Sequence, residues 1–124
     1  MDLYRDNILD HYKNPRNFGN MDKPDSLAEE SNPLCGDKIC IQIKLQTTNY
    51  KLQTIQDIKF SGVGCAISIA SASLLTEKVK NMDLAKVQRL KTKDIVDMLG
   101  ITLTPTRLKC ALLSLEVLQK ALNK

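Results

Sequence analysis

Three cysteines and one aspartate stand where this chain could present them to a metal. Residues 32–40 read NPLCGDKIC and set a thiol, a glycine and a carboxylate side by side as Cys35, Gly36 and Asp37. Cys65 closes the glycine-bearing turn SGVGC, and Cys110 lies in RLKCALL, within the first two turns of the last expected helix. Thiolates select zinc or iron–sulfur iron over hard cations. A 2Fe–2S core takes four protein ligands, and tetrahedral zinc also takes four. Cys35, Asp37, Cys65 and Cys110 are therefore a chemically consistent ligand set, provided the fold gathers them at one site. Together they carry four negative charges, of which about two remain against a doubly positive metal or cluster core. Lys109, beside Cys110, can offset part of that excess. A carboxylate is a poor ligand in soft iron–sulfur chemistry, so Asp37 makes a labile corner suited to a cluster that leaves. No CxxC pair is present, so the spacing by itself is a weaker signal than the settings of the thiols.

The elements that must position these groups follow from periodicity. Residues 3–13 read as a short amphipathic helix with Tyr4, Ile8 and Tyr12 on one face. Asp2 is placed to cap it, and Asn14-Pro15 ends it. The polar stretch Asn17–Asn32, with Gly19 and Pro24, reads as a mobile loop. Residues 38–46 alternate, with Ile39, Ile41, Ile43 and Leu45 on one face, so a half-buried strand is expected. A turn at Thr47-Thr48-Asn49 leads to a second strand over residues 52–60, forming an antiparallel hairpin. Strand parity puts Asp37 in phase with the isoleucines and Cys40 out of phase, which removes Cys40 from the ligand set.

Gly62 and Gly64 permit a close backbone approach before a helix running to about Lys80. Cys65 then sits at a helix N-terminus, where unpaired N–H groups favour negative charge, and metal and sulfur chemistry both need the thiolate. The small residues Ala66, Ser68, Ala70, Ser71 and Ala72 let something pack close. Asp83 is placed to cap residues 84–90, Thr92 to cap 93–99 with Gly100 as the stop, and Thr104-Pro105 to open the last helix. The main apolar stripe of that helix is Leu108, Ala111, Leu112, Leu115, Leu118 and Leu122. Cys110 falls off it, on a narrower face with Leu113 and Val117 that borders Lys109, Glu116 and Lys120. Helix, hairpin, then helices alone is an α+β order, with helices packed on one face of a small antiparallel sheet and the site at one end.

Composition limits the function classes. At 124 residues, 43% hydrophobic and 26% charged, the chain reads as a single domain over 1–124 with an ordinary core. No apolar run approaches the roughly 20 residues needed to cross a bilayer, and the charged start MDLYRDNILD is no secretory signal, so a cytoplasmic protein without a membrane partner is expected. The net charge of +4 is spread over Lys13, Arg16, Lys78, Lys80, Lys86, Arg89, Lys91 and Lys93 without interleaved aromatics. That argues for a solvated basic face or an acidic protein partner and against nucleic acid. Four cysteines in a reducing compartment argue for ligation and against disulfides. His11 has no Ser or Cys partner nearby in sequence and reads as a packing or helix-end residue.

The segments LYRDNILDHYKNPRNFG, NPLCGD, GVGCAISIASAS and RLKCALL, in this order, resemble the IscU/SufU/NifU N-terminal family of iron–sulfur cluster assembly scaffolds, over residues 3 to about 122. The resemblance implies a three-stranded antiparallel sheet and implies Cys35, Asp37, Cys65 and Cys110 as the site. It also implies the work. Persulfide sulfur comes from a pyridoxal-phosphate cysteine desulfurase, a transient 2Fe–2S cluster is built with iron and with electrons from a ferredoxin or similar donor, and the cluster passes to apo-proteins. That is the work of a scaffold or carrier and not of an enzyme. Lys109 stands where the IscU branch has His and matches the SufU branch. The chaperone-binding stretch Leu-Pro-Pro-Val-Lys of the IscU branch reads here Leu103-Thr104-Pro105-Thr106-Arg107, which leaves a dedicated Hsp70 partner open. The insertion that SufU-type proteins carry between the cysteines matching Cys65 and Cys110 is lacking. Two readings follow: a scaffold that donates a 2Fe–2S cluster, or a zinc-dependent sulfurtransferase that accepts sulfur on Cys110, with Lys109 in support. A purely structural zinc site is a third. Homo-oligomerisation is left open.

Overall fold

The computed structural model describes residues 3–33, 36–48 and 52–123. Among these residues, eight elements run in the order α1 (Leu3–Lys13), β1 (Ser26–Asn32), β2 (Asp37–Thr47), β3 (Gln53–Val63), α2 (Ala66–Val79), α3 (Leu84–Gln88), α4 (Thr92–Leu99) and α5 (Pro105–Leu122). The three strands form one antiparallel sheet in the order β1-β2-β3. This is an α+β fold. Its core is the alternating face of the sheet, where Ile39, Ile41 and Ile43 of β2 and Ile55, Ile58 and Phe60 of β3 are completely buried. The helices supply Leu75, Val79, Ile95, Leu99, Val117 and Leu118 against them. Branched aliphatic side chains on a pleated sheet bury most of their apolar area, and that burial is the main favourable term in the fold.

Three expectations about the sheet and the last helix change in the structure. First, the stretch Asn17–Asn32 is not a mobile loop. Its second half is β1, paired with β2 from Ser26↔Ile43 to Asn32↔Asp37. Its first half is tied down by Gly19 N–H donating to Phe60 O and Asp25 N–H donating to Ile43 O, both at 2.8 Å. β1 is an edge strand that buries only Ala28. Its polar sequence therefore carries no alternation, and its pairing partner is remote in sequence. Second, β3 runs three residues past Phe60, to Val63. Gly62 (φ +136°) makes this feasible, since a Cβ there would lie 1.9 Å from Lys38 O across the sheet. Third, the narrower face of α5 is buried throughout, while the main stripe is buried in part, at Ala111, Leu115 and Leu118. Cys110, Leu113 and Val117 are fully buried, whereas Leu108, Leu112 and Leu122 are half-buried. α5 packs against β1 and β2 as well as α2, α3 and α4, so beyond its first turn only Lys109, Glu116 and Lys120 stay exposed.

Helix boundaries follow capping chemistry. Asp83 accepts from Ala85 N–H, and Thr104 accepts from Arg107 N–H with Pro105 behind it. Gly100 ends α4 in the left-handed region. α4 starts one residue earlier than expected: Lys91 is the N-cap, with Asp94 accepting from its N–H at 2.8 Å, and Thr92 is the first helical residue. Asp2 and Asn49 lie outside the described residues. No helix among the described residues is long and apolar enough to cross a membrane.

His11 pins α1 to α2. It is buried, and its Nδ1 lies 2.7 Å from Ser73 Oγ. The same oxygen accepts the Arg16 backbone N–H at 2.8 Å. Burial, and then the nearby Arg16 charge, lower the His11 pKa below its ordinary value. The unfolded chain, titrating near pH 6.5, thus binds the proton more readily than the folded one. Stability is full above that pH and falls as pH drops through it and below. Urea midpoints should decline from about pH 7 to about pH 5. His11→Asn should flatten that decline. An unchanged decline in the variant would assign the pH dependence elsewhere.

Candidate metal centre

Asp37 opens β2 and shares the face of Ile39 and Ile41, which turns its side chain inward, 1% exposed. Its Oδ1 accepts the backbone N–H of Cys65 at 2.9 Å. Its Oδ2 is buried and has no hydrogen-bond partner among the described residues. Cys65 is the N-cap of α2 in an extended conformation, half-buried, with a side chain that makes no cap hydrogen bond. Cys110 lies in the second turn of α5, 2% exposed. Ligand atoms of Asp37, Cys65 and Cys110 all lie within 4.8 Å of one another.

The chain between the first two groups is built for this contact. Gly64 carries no side chain where a Cβ would meet Asp37 Oδ1 at 2.8 Å and Ser68 Cβ and Oγ at 3.1 Å. Any larger residue at 64 would push on the carboxylate. The third group is held by a joint between helices. Ser71 Oγ donates to Ala111 O at 2.7 Å and lies 3.3 Å from Ser114 Oγ. This hydroxyl, with the buried Ala70, Ala72 and Ala111, ties α2 to α5 next to Cys110. One end of the sheet, the start of one helix and the second turn of another thus converge on a single spot.

The donor set fits a soft or borderline metal. Tetrahedral zinc with bonds of about 2.0–2.3 Å sets its ligand atoms about 3.3–3.8 Å apart. The three ligand atoms, within 4.8 Å of one another, are at most about 1 Å wider apart than that. A buried carboxylate oxygen with no partner is costly unless something else satisfies it, and a cation does so. Cys35 lies outside the described residues. Cys40 is half-buried on β2, opposite Glu29 and Ser61, and is not part of the cluster. Lys109 is exposed and lines a cavity with Ser31, Asn32, Pro33, Leu113 and Glu116. Ser68 is a further polar group at this spot, and the sequence marks it only as one small residue among several.

Fold and site together define an α+β protein with an inward-facing thiol–carboxylate cluster at the end of its sheet. The model of the NifU-like N-terminal domain matches residues 3–124. The chain belongs to this family, the IscU/SufU/NifU N-terminal group of iron–sulfur cluster assembly scaffolds. It is 37% identical to the zinc-dependent sulfurtransferase SufU of Bacillus subtilis, covering 98% of this chain and 90% of the relative. It is also 37% identical to the iron–sulfur cluster assembly scaffold protein IscU of Aquifex aeolicus, covering 97% of this chain and 74% of the relative. A crystal structure of a hypothetical protein superposes with a TM-score of 0.76 at 30% identity, covering 98% of both chains.

Proposed function

We propose that this protein is a cytoplasmic scaffold, one domain over residues 1–124, that assembles a 2Fe–2S cluster on Cys35, Asp37, Cys65 and Cys110 and passes it to recipient apo-proteins. The observation that carries the proposal is the meeting of Asp37, Cys65 and Cys110 within 4.8 Å, with one carboxylate oxygen left unpartnered. Sulfur arrives as a persulfide on a cysteine desulfurase. The Cys110 thiolate attacks the outer sulfur, a new S–S bond forms, the donor's S–S bond breaks, and the desulfurase thiolate leaves. Reducing each delivered sulfur to sulfide takes two electrons. Two ferrous ions supply one electron each on becoming ferric, and a ferredoxin-like donor supplies the remainder. Lys109, exposed next to Cys110, offsets part of the negative charge that gathers as thiolates and sulfide accumulate.

The second reading is a zinc-dependent sulfurtransferase, in which zinc holds the same side chains and releases Cys110 to accept sulfur. Two observations favour it: Lys109 beside Cys110, and the likeness to the Bacillus subtilis sulfurtransferase. Against it, that alignment spans 140 positions, more than the 124 residues of this chain, so the relative carries residues that this chain lacks. The alignment to the Aquifex aeolicus scaffold needs only 120.

Anaerobic reconstitution with ferrous iron, cysteine, a desulfurase and a reductant tests the choice. The scaffold reading expects the visible absorption of a 2Fe–2S centre, which then moves to an apo-ferredoxin. Tight zinc, no cluster and sulfur on Cys110 would replace it with the second reading.

A further inference from the structure

We infer that Ser68 is a positioning residue for the metal site: its hydroxyl is the outer hydrogen-bond donor that holds the Asp37 carboxylate in its metal-binding orientation. The inference rests on the metal-site reading above.

The hydroxyls of α2 set the comparison. Ser71 donates to Ala111 O, Ser73 bridges Arg16 N–H and His11, and Thr76 donates to Ser73 O at 2.9 Å. All three are fully buried and all three are satisfied. Ser68 is also fully buried, yet its Oγ has no partner among the described residues. Buried hydroxyls on a helix ordinarily find a partner, commonly a carbonyl one turn back, and an orphaned one costs stability. Among the described residues, one other buried side-chain oxygen shares this state, Asp37 Oδ2. Both groups flank the space that Gly64 leaves open, Ser68 Oγ at 3.1 Å and Asp37 Oδ1 at 2.8 Å from where its Cβ would be. A hydroxyl without an acceptor and a carboxylate with one unpartnered oxygen therefore border the same small space.

Metal loading resolves both. With a metal held by Oδ2, the Ser68 hydroxyl would serve as a donor to the carboxylate beside the Cys65 N–H. A metal-bound carboxylate is usually fixed by such outer partners, and losing one typically costs about 10–100-fold in metal affinity. Without metal the same hydroxyl is a liability. Ser68→Ala should therefore shift two observables in opposite senses. Zinc binding, read by competition with a chromophoric chelator, should weaken about 10–100-fold. The thermal midpoint of the metal-free protein should stay the same or rise, because an unsatisfied buried polar group is removed. Ser68→Thr, which keeps the hydroxyl, should restore zinc affinity.

Asp37→Asn and the double variant complete the cycle. If Ser68 acts through Asp37, Ser68→Ala should add nothing to the zinc affinity of Asp37→Asn. Wild-type zinc affinity in Asp37→Asn would overturn the metal-site reading itself. A weakened Asp37→Asn beside an unchanged Ser68→Ala, or strictly additive losses, would overturn the role of Ser68 alone. So would a fall in midpoint that tracks the loss of zinc.

Discussion

Cys110→Ser is expected to weaken zinc binding by roughly 10²–10³-fold and to abolish sulfur acceptance. Structural zinc sites bind with about 10–16 kcal/mol shared over four ligands, so one thiolate is worth about 2.5–4 kcal/mol. At about 1.4 kcal/mol per tenfold step, that gives the stated range. A serine hydroxyl is neutral near pH 7 and hard, and it replaces neither the charge nor the softness of the thiolate. The substitution nearly conserves volume at a position 2% exposed, so the fold should survive with a loss of about 1–3 kcal/mol for a buried hydroxyl. Chelator competition measures the first effect, and intact mass after incubation with a persulfide-loaded desulfurase measures the second. Sulfur that still arrives on the variant would move the acceptor role to Cys35 or Cys65. Unchanged zinc affinity would remove Cys110 from the ligand set.

Much of this architecture is legible in the chain because its signals are local. Alternating Ile39, Ile41 and Ile43 specify β2 and, through parity, turn Asp37 inward and set Cys40 apart. Thr104-Pro105, Asp83 and Gly100 mark helix ends because capping is a matter of neighbouring residues. What stays hidden depends on remote partners. β1 has no hydrophobic pattern because it buries only Ala28, and its place is set by hydrogen bonds to β2. The burial of Cys110, Leu113 and Val117 depends on α5 being covered by the sheet and by three helices. Helical periodicity ranks faces by hydropathy and cannot see such cover. The site lies between these cases. Chemistry nominates Asp37, Cys65 and Cys110, but the hydrogen bond that joins Asp37 to Cys65 spans 28 residues, and only the fold closes it. The unpartnered Oδ2 and the Ser68 hydroxyl are invisible to sequence, since an orphaned atom is defined by what surrounds it.

Asp37→Ala should act with opposite signs on two cargoes. Zinc accepts carboxylate oxygen readily, so losing this ligand should weaken zinc by roughly tenfold or more. A 2Fe–2S cluster should instead be held longer and reach apo-ferredoxin more slowly. On the proposed ligand set, three thiolates and Asp37 would leave a cluster-loaded site with about two net negative charges, and at the buried Asp37 and Cys110 like charges repel strongly. Removing the carboxylate relieves one of these charges. It also removes the hard oxygen that an incoming acceptor thiol displaces most readily. Structural damage could mimic slow transfer, because Asp37 Oδ1 accepts the Cys65 N–H, and losing that acceptor costs about 1–3 kcal/mol. Asp37→Asn separates the two causes. Its side-chain carbonyl still accepts from Cys65, while its amide nitrogen is neither charged nor a useful ligand. Slow transfer in both variants, followed by the loss of cluster absorption from the donor, assigns the effect to ligand exchange. Slow transfer in Asp37→Ala alone assigns it to the broken joint between β2 and α2. Transfer at the wild-type rate in both would show that Asp37 does not govern release.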